Sequence, residues 1–271
     1  MVGRIKNQMK NIKLILSYDG TNYHGWAIQP DVNTICGTLK KALKKLTGEE
    51  VKVICASRTD AKVHARTQVV NFFTNSRIPI EAFSRALNSH LPEDIVVYDA
   101  SYVDDTFHAR FSAKYRKYHY LLINSKYPDV FYRHYAYWLP FELNLEKMRQ
   151  ACEFLIGTHD FSAFASEIKT VKSPIRDVQE LSISTNGCLN LLMENTPNKF
   201  GLPEENEIIF FNIKANAFLF NMIRTIVGTL IDVGGGKLAP IDVKHILESK
   251  DRAKASPLVP PQGLYLIEVG Y

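Results

Sequence analysis

No apolar run in this chain approaches the roughly 18 residues that a membrane helix needs. Its basic start, up to Lys13, is followed only by Leu14-Ile15-Leu16, shorter than any secretory h-region. Neither a span nor a leader is expected, and a cytoplasmic setting follows. Cysteine is scarce and scattered: Cys36, Cys55, Cys152 and Cys188 form no C-x-x-C pair, so neither a zinc site nor a redox motif is signalled. The 8 histidines show no metal spacing. No metal site is expected from these spacings. With 14 Gly and 12 Pro the chain is too poor in both for a collagen-like or disordered class. A G-x-S-x-G elbow and an H-E-x-x-H helix are missing too. Gly234-Gly235-Gly236-Lys237 fails the phosphate-loop spacing, because Leu238 follows the lysine, and reads as a helix stop.

What is present is an ordinary soluble composition, 46% hydrophobic and 23% charged, over 271 residues, enough for one large domain or two small ones. The net charge of +5 tilts mildly toward a polyanionic partner. Clustering sharpens the tilt: residues 1–18 hold four basic side chains and no acid. Phe107 to Lys117 add Arg110, Lys114, Arg116 and Lys117, again without an acid. A charge run of this kind is usually a solvated face, and neither patch alone points to nucleic acid.

Periodicity predicts strands over Ile12 to Tyr18, Val51 to Ala56, Gln68 to Phe73 and Ile95 to Val103. Between them it predicts a helix over Thr34 to Leu46, with Leu39, Ala42, Leu43 and Leu46 as its apolar stripe, and a second helix opened by Pro79. The order is β-α-β-β-α-β, that of a ferredoxin-like unit. A looser repeat follows: strand Lys114 to Asn124, helix Leu145 to Ile156, strands Val178 to Ser184, Leu189 to Met193 and Ile208 to Asn216, a helix from Ala217, a shorter one after Pro240, and a last strand Leu264 to Val269. Glu194 to Glu207 reads as a polar surface loop. The expected class is α+β. Two ferredoxin-like (RRM-like) halves, 1–108 and 109–271, join into a mixed, mostly antiparallel sheet with helices on one face and a central cleft.

Three segments could carry chemistry. Ser57 to Ala65 packs Arg58, Asp60, Lys62 and His64 into a loop without hydrophobic alternation. It reads equally as a solvated connection. An Asp60–His64 acid–base pair for hydrolysis has no accompanying motif. The helix Ala217 to Ile231 is apolar on nearly every side except for Asn221, Arg224, Thr225 and Gly228, at i, i+3, i+4 and i+7. An arginine there is costly unless paired with a carboxylate or snorkelling to the surface. On the strand Lys114 to Asn124 the period of two places Lys114, Arg116, Tyr118 and Tyr120 on one face. That face suits RNA, with bases stacking on rings and phosphates meeting cations; a partly buried sheet face would look the same. The seven aromatics from Tyr127 to Phe141 read as packing of a long connection or as a subunit contact.

Taken in order, the motifs resemble those of the TruA family of tRNA pseudouridine synthases over nearly the whole chain. Tyr18-Asp19-Gly20-Thr21 with Gly25-Trp26 and Gln29 looks like the family's opening signature. Arg58-Thr59-Asp60-Ala61 with Val63-His64-Ala65 looks like its catalytic loop. Phe107-His108-Ala109-Arg110 leading into Tyr118-His119-Tyr120 follows, then Gly157-Thr158-His159-Asp160-Phe161. Phe218-Leu219 with Met222 and Arg224, Val227-Gly228, and Pro261 with Gly263-Leu264 complete the run.

The resemblance implies that Asp60 is the essential aspartate, Tyr118 the tyrosine that packs on the target base, and Arg224 the arginine paired with Asp60, buried on its helix. Arg58 is similar to the residue that holds the target nucleotide out of its stack. The implied reaction converts uridine to pseudouridine at positions 38 to 40 of the tRNA anticodon stem-loop, in a homodimer, without metal or cofactor. Four residues depart from the pattern: Ser57 and Lys62 stand where the loop has glycines, Ala27 where a glutamine follows Gly-Trp, and Cys36 where a glutamine opens the first helix. A glycine there serves a positive φ, which Lys62 would adopt at a cost of roughly 1 to 2 kcal/mol. The rival from another class is a non-catalytic RNA-binding protein of two RRM-like halves, but Lys114 to Ile123 lacks the glycines of RNP1.

Overall fold

The computed structural model describes residues 9–168, 171–185 and 207–271. The strand expected over Leu189 to Met193, Cys188, most of the polar loop from Glu194, and Arg4 and Lys6 of the basic start lie outside the described residues. The chain is mixed α+β, with ten strands among the described residues and pairing that is mostly antiparallel. It divides into two compact units, Met1–Lys114 with Leu266–Tyr271, and Tyr115–Tyr265.

In the first unit β1 (Lys10–Tyr18) pairs antiparallel with β3 (His64–Thr74) on one side and β4 (Ile95–Tyr102) on the other. Its alternation sends Ile12, Leu14 and Leu16 into a core shared with Phe72 and Phe83. Helix α1 (Ile35–Thr47) begins where Thr34 accepts the Gly37 N–H and ends at Gly48, whose φ of 76° only glycine adopts without strain. It buries Leu39, Ala42 and Leu43, three of the four expected stripe residues. Helix α2 (Ile80–Asn88) follows Pro79 and buries Phe83 and Leu87.

The strand expected over 51–56 is only β2 (Ile54–Cys55), paired with β3 at Asn71 and Val70. Past Ala56 the Gln68 side chain takes both backbone polar groups of Ser57, which ends the ladder. On the partner strand the pairing runs on to Ala65 opposite Tyr18, so β3 starts four residues earlier than its hydrophobic pattern indicates. The last strand, β10 (Leu264–Gly270), follows β3 in the sheet order.

The second unit runs β5 (Tyr115–Asn124), β9 (Glu207–Ala215), β8 (Ile175–Thr185), β7 (Gly157–Asp160) in antiparallel order, with β6 (Tyr137–Leu139) parallel to β5. Helix α3 (Leu145–Glu153) stops short of the expected Ile156, and Gly157, at φ 105°, turns the chain into β7. Helix α4 (Met222–Gly234) starts five residues after the expected Ala217, because Asn221 sits in the left-handed region at φ 63°. Gly235 and Gly236 end it, as the glycine run indicates. Helix α5 (Pro240–Ser249) opens on its proline.

On β5, His119 is buried with no hydrogen-bond partner for Nδ1 among the described residues. Burial pushes its pKa down to about 4; the Lys117 ammonium acts the same way and Glu180 opposes. The unfolded chain therefore takes up a proton first as pH falls. The stabilisation is complete above the unfolded value near 6.5 and is lost as pH drops toward 4, up to about 3 kcal/mol. Urea unfolding at pH 7 and pH 4.5 is expected to show a smaller loss in His119→Asn than in the wild type; equal losses would remove His119 from the account.

Candidate active site

The loop from Ser57 to Val63 is held almost residue by residue. Ser57 N–H donates to Gln68 Oε1 at 3.3 Å, and its carbonyl accepts from Gln68 Nε2 at 2.8 Å. The Thr59 hydroxyl meets Tyr18 OH at 2.7 Å, and its carbonyl accepts the Trp26 N–H at 2.9 Å. Val63 N–H returns to the Asp60 carbonyl at 3.2 Å, closing a four-residue turn, while Lys62 N–H donates to the Tyr23 carbonyl at 3.1 Å. As third residue of that turn Lys62 takes φ 64°, the glycine conformation that the resemblance implies. Arg58 and Lys62 are exposed and Asp60 between them is half-buried.

Two signature glycines make this possible. A Cβ on Gly20 would stand 2.1 Å from the Val63 carbonyl oxygen, and one on Gly25 2.7 Å from that of Thr59. The segment 18–26 is thus a backbone cradle for the loop. His64 Nδ1 lies 3.1 Å from both Gly20 N and Asp19 Oδ1. One nitrogen cannot accept from the amide and donate to the carboxylate at once. Asp19 Oδ1 already takes two hydrogens from Thr21, so in the neutral ring Nδ1 serves Gly20. Half of the ring that a hydrolase would need is spent on positioning the loop.

The Phe107 to Arg110 segment is anchored by two buried amides. Asn71 Nδ2 donates to Asn11 Oδ1 and to the Phe107 carbonyl, and Asn71 Oδ1 accepts the Ala109 N–H. Asn11 Nδ2 donates to the Asp104 and Phe107 carbonyls. Such a fully satisfied network fixes the chain just before Arg110. Burial pushes the Cys55 thiol up to about 12, with the Arg58 and Arg110 charges acting against it.

In the second unit, the Tyr118 ring stands edge-on to Phe218, with centroids 5.3 Å apart and planes at 84°. Arg224, in the first turn of α4, is half-buried rather than buried as expected. Its Nε–H donates to the Val259 carbonyl at 2.8 Å and Nη1 to Asn221 Oδ1 at 3.2 Å. The polar stripe of α4 has a structural purpose that its spacing does not reveal: the segment Ser256 to Pro260 lies across it. Ser256 N–H reaches Thr229 Oγ1, Val259 N–H reaches the Arg224 carbonyl, and Gly228 leaves room for the Pro257 carbonyl, 2.2 Å from where a Cβ would be.

The alternating basic and aromatic face of β5 is corrected. Tyr118, Tyr120 and Arg116 are buried; the Tyr120 hydroxyl donates to the Pro260 carbonyl and Arg116 Nη1 to that of Asn216. Only Lys114 is exposed, so the face is core with a basic rim and not an open stacking surface. Asn11, Asn71 and Gln68 escaped sequence reasoning, since a polar residue inside a strand carries no periodic signal. Among the described residues no group of three His, Cys, Asp or Glu could hold a metal, and no helix is long and apolar enough to cross a membrane.

The sequence model of the tRNA pseudouridine synthase family matches residues 14–112 and 151–271. The tRNA pseudouridine synthase A of Thermoanaerobacter sp. (strain X514) is 48% identical over 263 residues, 97% of this chain and 100% of that protein. Proteins of the same name from Acetivibrio thermocellus and Clostridium kluyveri are 44% and 46% identical over the same shares. With its pinned aspartate loop and its signature glycines in the places described, the chain belongs to the TruA-type tRNA pseudouridine synthases, which isomerise uridine to pseudouridine in tRNA.

Proposed function

We propose that the enzyme acts on uridines at positions 38 to 40 of the tRNA anticodon stem-loop, with Asp60 as its catalytic carboxylate. The observation that carries this reading is the loop itself, whose backbone is fixed on both sides of Asp60 and whose exposed charged residues, Arg58 and Lys62, are cations. A uridine within a stem is shielded by its neighbours and must leave the stack, at a few kcal/mol, before a side chain reaches it. Arg58 holds the flipped nucleotide out, the small part of Tyr118 that its burial leaves exposed, 5%, meets the edge of a base seated against it, and Arg224 is the cation that keeps Asp60 ionised. The N1–C1′ bond breaks with its electron pair going to N1, the uracil turns, C5 bonds to C1′, and the C5 hydrogen leaves as a proton while N1 takes one up.

The test uses tRNA transcripts with tritium at uridine C5 and uridine retained at only one of positions 38, 39 or 40, without added metal. Tritium release from each supports the reading; release only from transcripts with uridine elsewhere overturns it. A small ester hydrolysed without RNA would instead favour the Asp60–His64 alternative.

Arg224→Met conserves most of the packing volume and removes the charge. Its turnover is expected to fall and the acidic limb of its pH–rate profile to move to higher pH, since a carboxylate without its cation holds its proton longer, typically by about 1 to 3 pH units. Lysine is expected to rescue only part, lacking the planar fork. An unmoved limb would assign Arg224 to packing alone.

We further propose a cytoplasmic homodimer and two ferredoxin-like halves. The first half is supported by the order β4-β1-β3 with β2 on β3. Tyr127 and Phe131, 70% and 81% exposed, support a subunit contact.

A further inference from the structure

We propose that Lys62 is a substrate-positioning residue whose ammonium holds an RNA phosphate next to the nucleotide on which Asp60 acts. The inference rests on the reading of Asp60 above. Lys62 occupies the third position of the Asp60–Val63 turn at φ 64°, where glycine would sit without strain. Nothing in the fold compensates through its side chain. It is exposed, and among the described residues its ammonium has neither a carboxylate nor a hydrogen-bond acceptor. The structural duty of the position, an N–H given to the Tyr23 carbonyl, is met by any residue with an amide proton.

Strain retained at a surface position with no internal return points to a ligand. Its chemistry follows from the surroundings. Arg58, Lys62 and Arg66 are exposed along one short stretch, with the half-buried Asp60 as its sole acid. A stretch with three exposed cations and one half-buried carboxylate attracts an anion while leaving the carboxylate to the reacting group. In RNA that anion is the phosphate flanking the extruded nucleotide, which the stem of a lysine two residues from Asp60 can follow. The backbone beneath is fixed by the Tyr23 bond and by the cradle at Gly20, so the cation starts from a defined place.

The test compares Lys62→Gly, Lys62→Gln and Lys62→Arg with the wild type on tRNA. Thermal midpoint, KM, kcat and the dependence of affinity on salt are measured. Lys62→Gly is expected to raise the thermal midpoint and yet raise KM roughly five- to tenfold with kcat within about twofold. Its log–log salt slope should become shallower by about 1. Lys62→Gln should show the same KM and slope without the gain in midpoint, and Lys62→Arg should keep both near wild type. Wild-type KM and salt slope in both Lys62→Gly and Lys62→Gln would overturn the proposal while leaving Asp60 untouched. Inactivity of the wild type itself would instead strike the reading on which it rests.

Discussion

Asp60→Asn is expected to lower turnover by at least about a thousandfold while the protein folds, melts and binds tRNA as the wild type does. Amide and carboxylate are nearly isosteric. The turn that shapes the loop uses the Asp60 carbonyl, which accepts the Val63 N–H, and that bond survives the exchange. What is lost is the charge and the lone pairs of an anion, and with them the ability to attack carbon or to remove a proton. Tritium release measures the loss, and filter binding with a thermal melt shows that fold and affinity remain. Turnover within tenfold of wild type would remove Asp60 from the chemistry altogether.

Gly20→Ala is expected to have the second-largest effect, and through a residue that never meets substrate. Its Cβ would lie 2.1 Å from the Val63 oxygen and 2.7 Å from the Val63 carbonyl carbon. Both are backbone atoms, so no rotamer change relieves the clash, and either the end of β1 or the loop must move. Overpacking of this kind costs about 1 to 3 kcal/mol. A displacement near 1 Å at a catalytic group costs roughly a hundredfold in rate. Gly48→Ala is the control: it strains a positive φ of 76°, but no atom lies within 4 Å of its Cβ. It should lose stability and keep turnover. Should Gly20→Ala keep its rate, the position of the loop would not be what Asp60 depends on.

These effects mark where the sequence was legible. Local signals were read well because their physics is local: Thr34 caps α1, Gly48 ends it, and the glycines after Asp232 stop α4. The loop around Asp60 stood out by its lack of alternation and by its ordered motif. What holds the loop did not, since Gln68, Gly20 and Tyr18 act across the sheet and no spacing along the chain encodes that contact. Arg116 and Tyr120 show the reverse error. A period of two identifies one face of a strand but is silent on what covers it, and here the Asn216 and Pro260 carbonyls receive both side chains. Arg224 was singled out for its cost on an apolar helix, but the Ser256 to Pro260 segment, which accounts for much of the stripe around it, lies some thirty residues further on.

The last strand imposes an order on synthesis. Leu266–Tyr271 belongs to the first unit, where Gly270 accepts the Lys114 N–H, Tyr271 OH donates to the Ala109 carbonyl, and the Tyr271 ring rests 4.9 Å from Phe107. A ribosome reaches these residues only after making all of Tyr115–Tyr265. The nascent first unit therefore waits with one side of β3 without β10, and with the segment that leads to Arg110 lacking its closing tyrosine. An uncovered strand is a template for pairing with other chains. Stalled or truncated products ending before Leu266 should thus be prone to aggregate, although they hold the whole Asp60 loop and everything that cradles it.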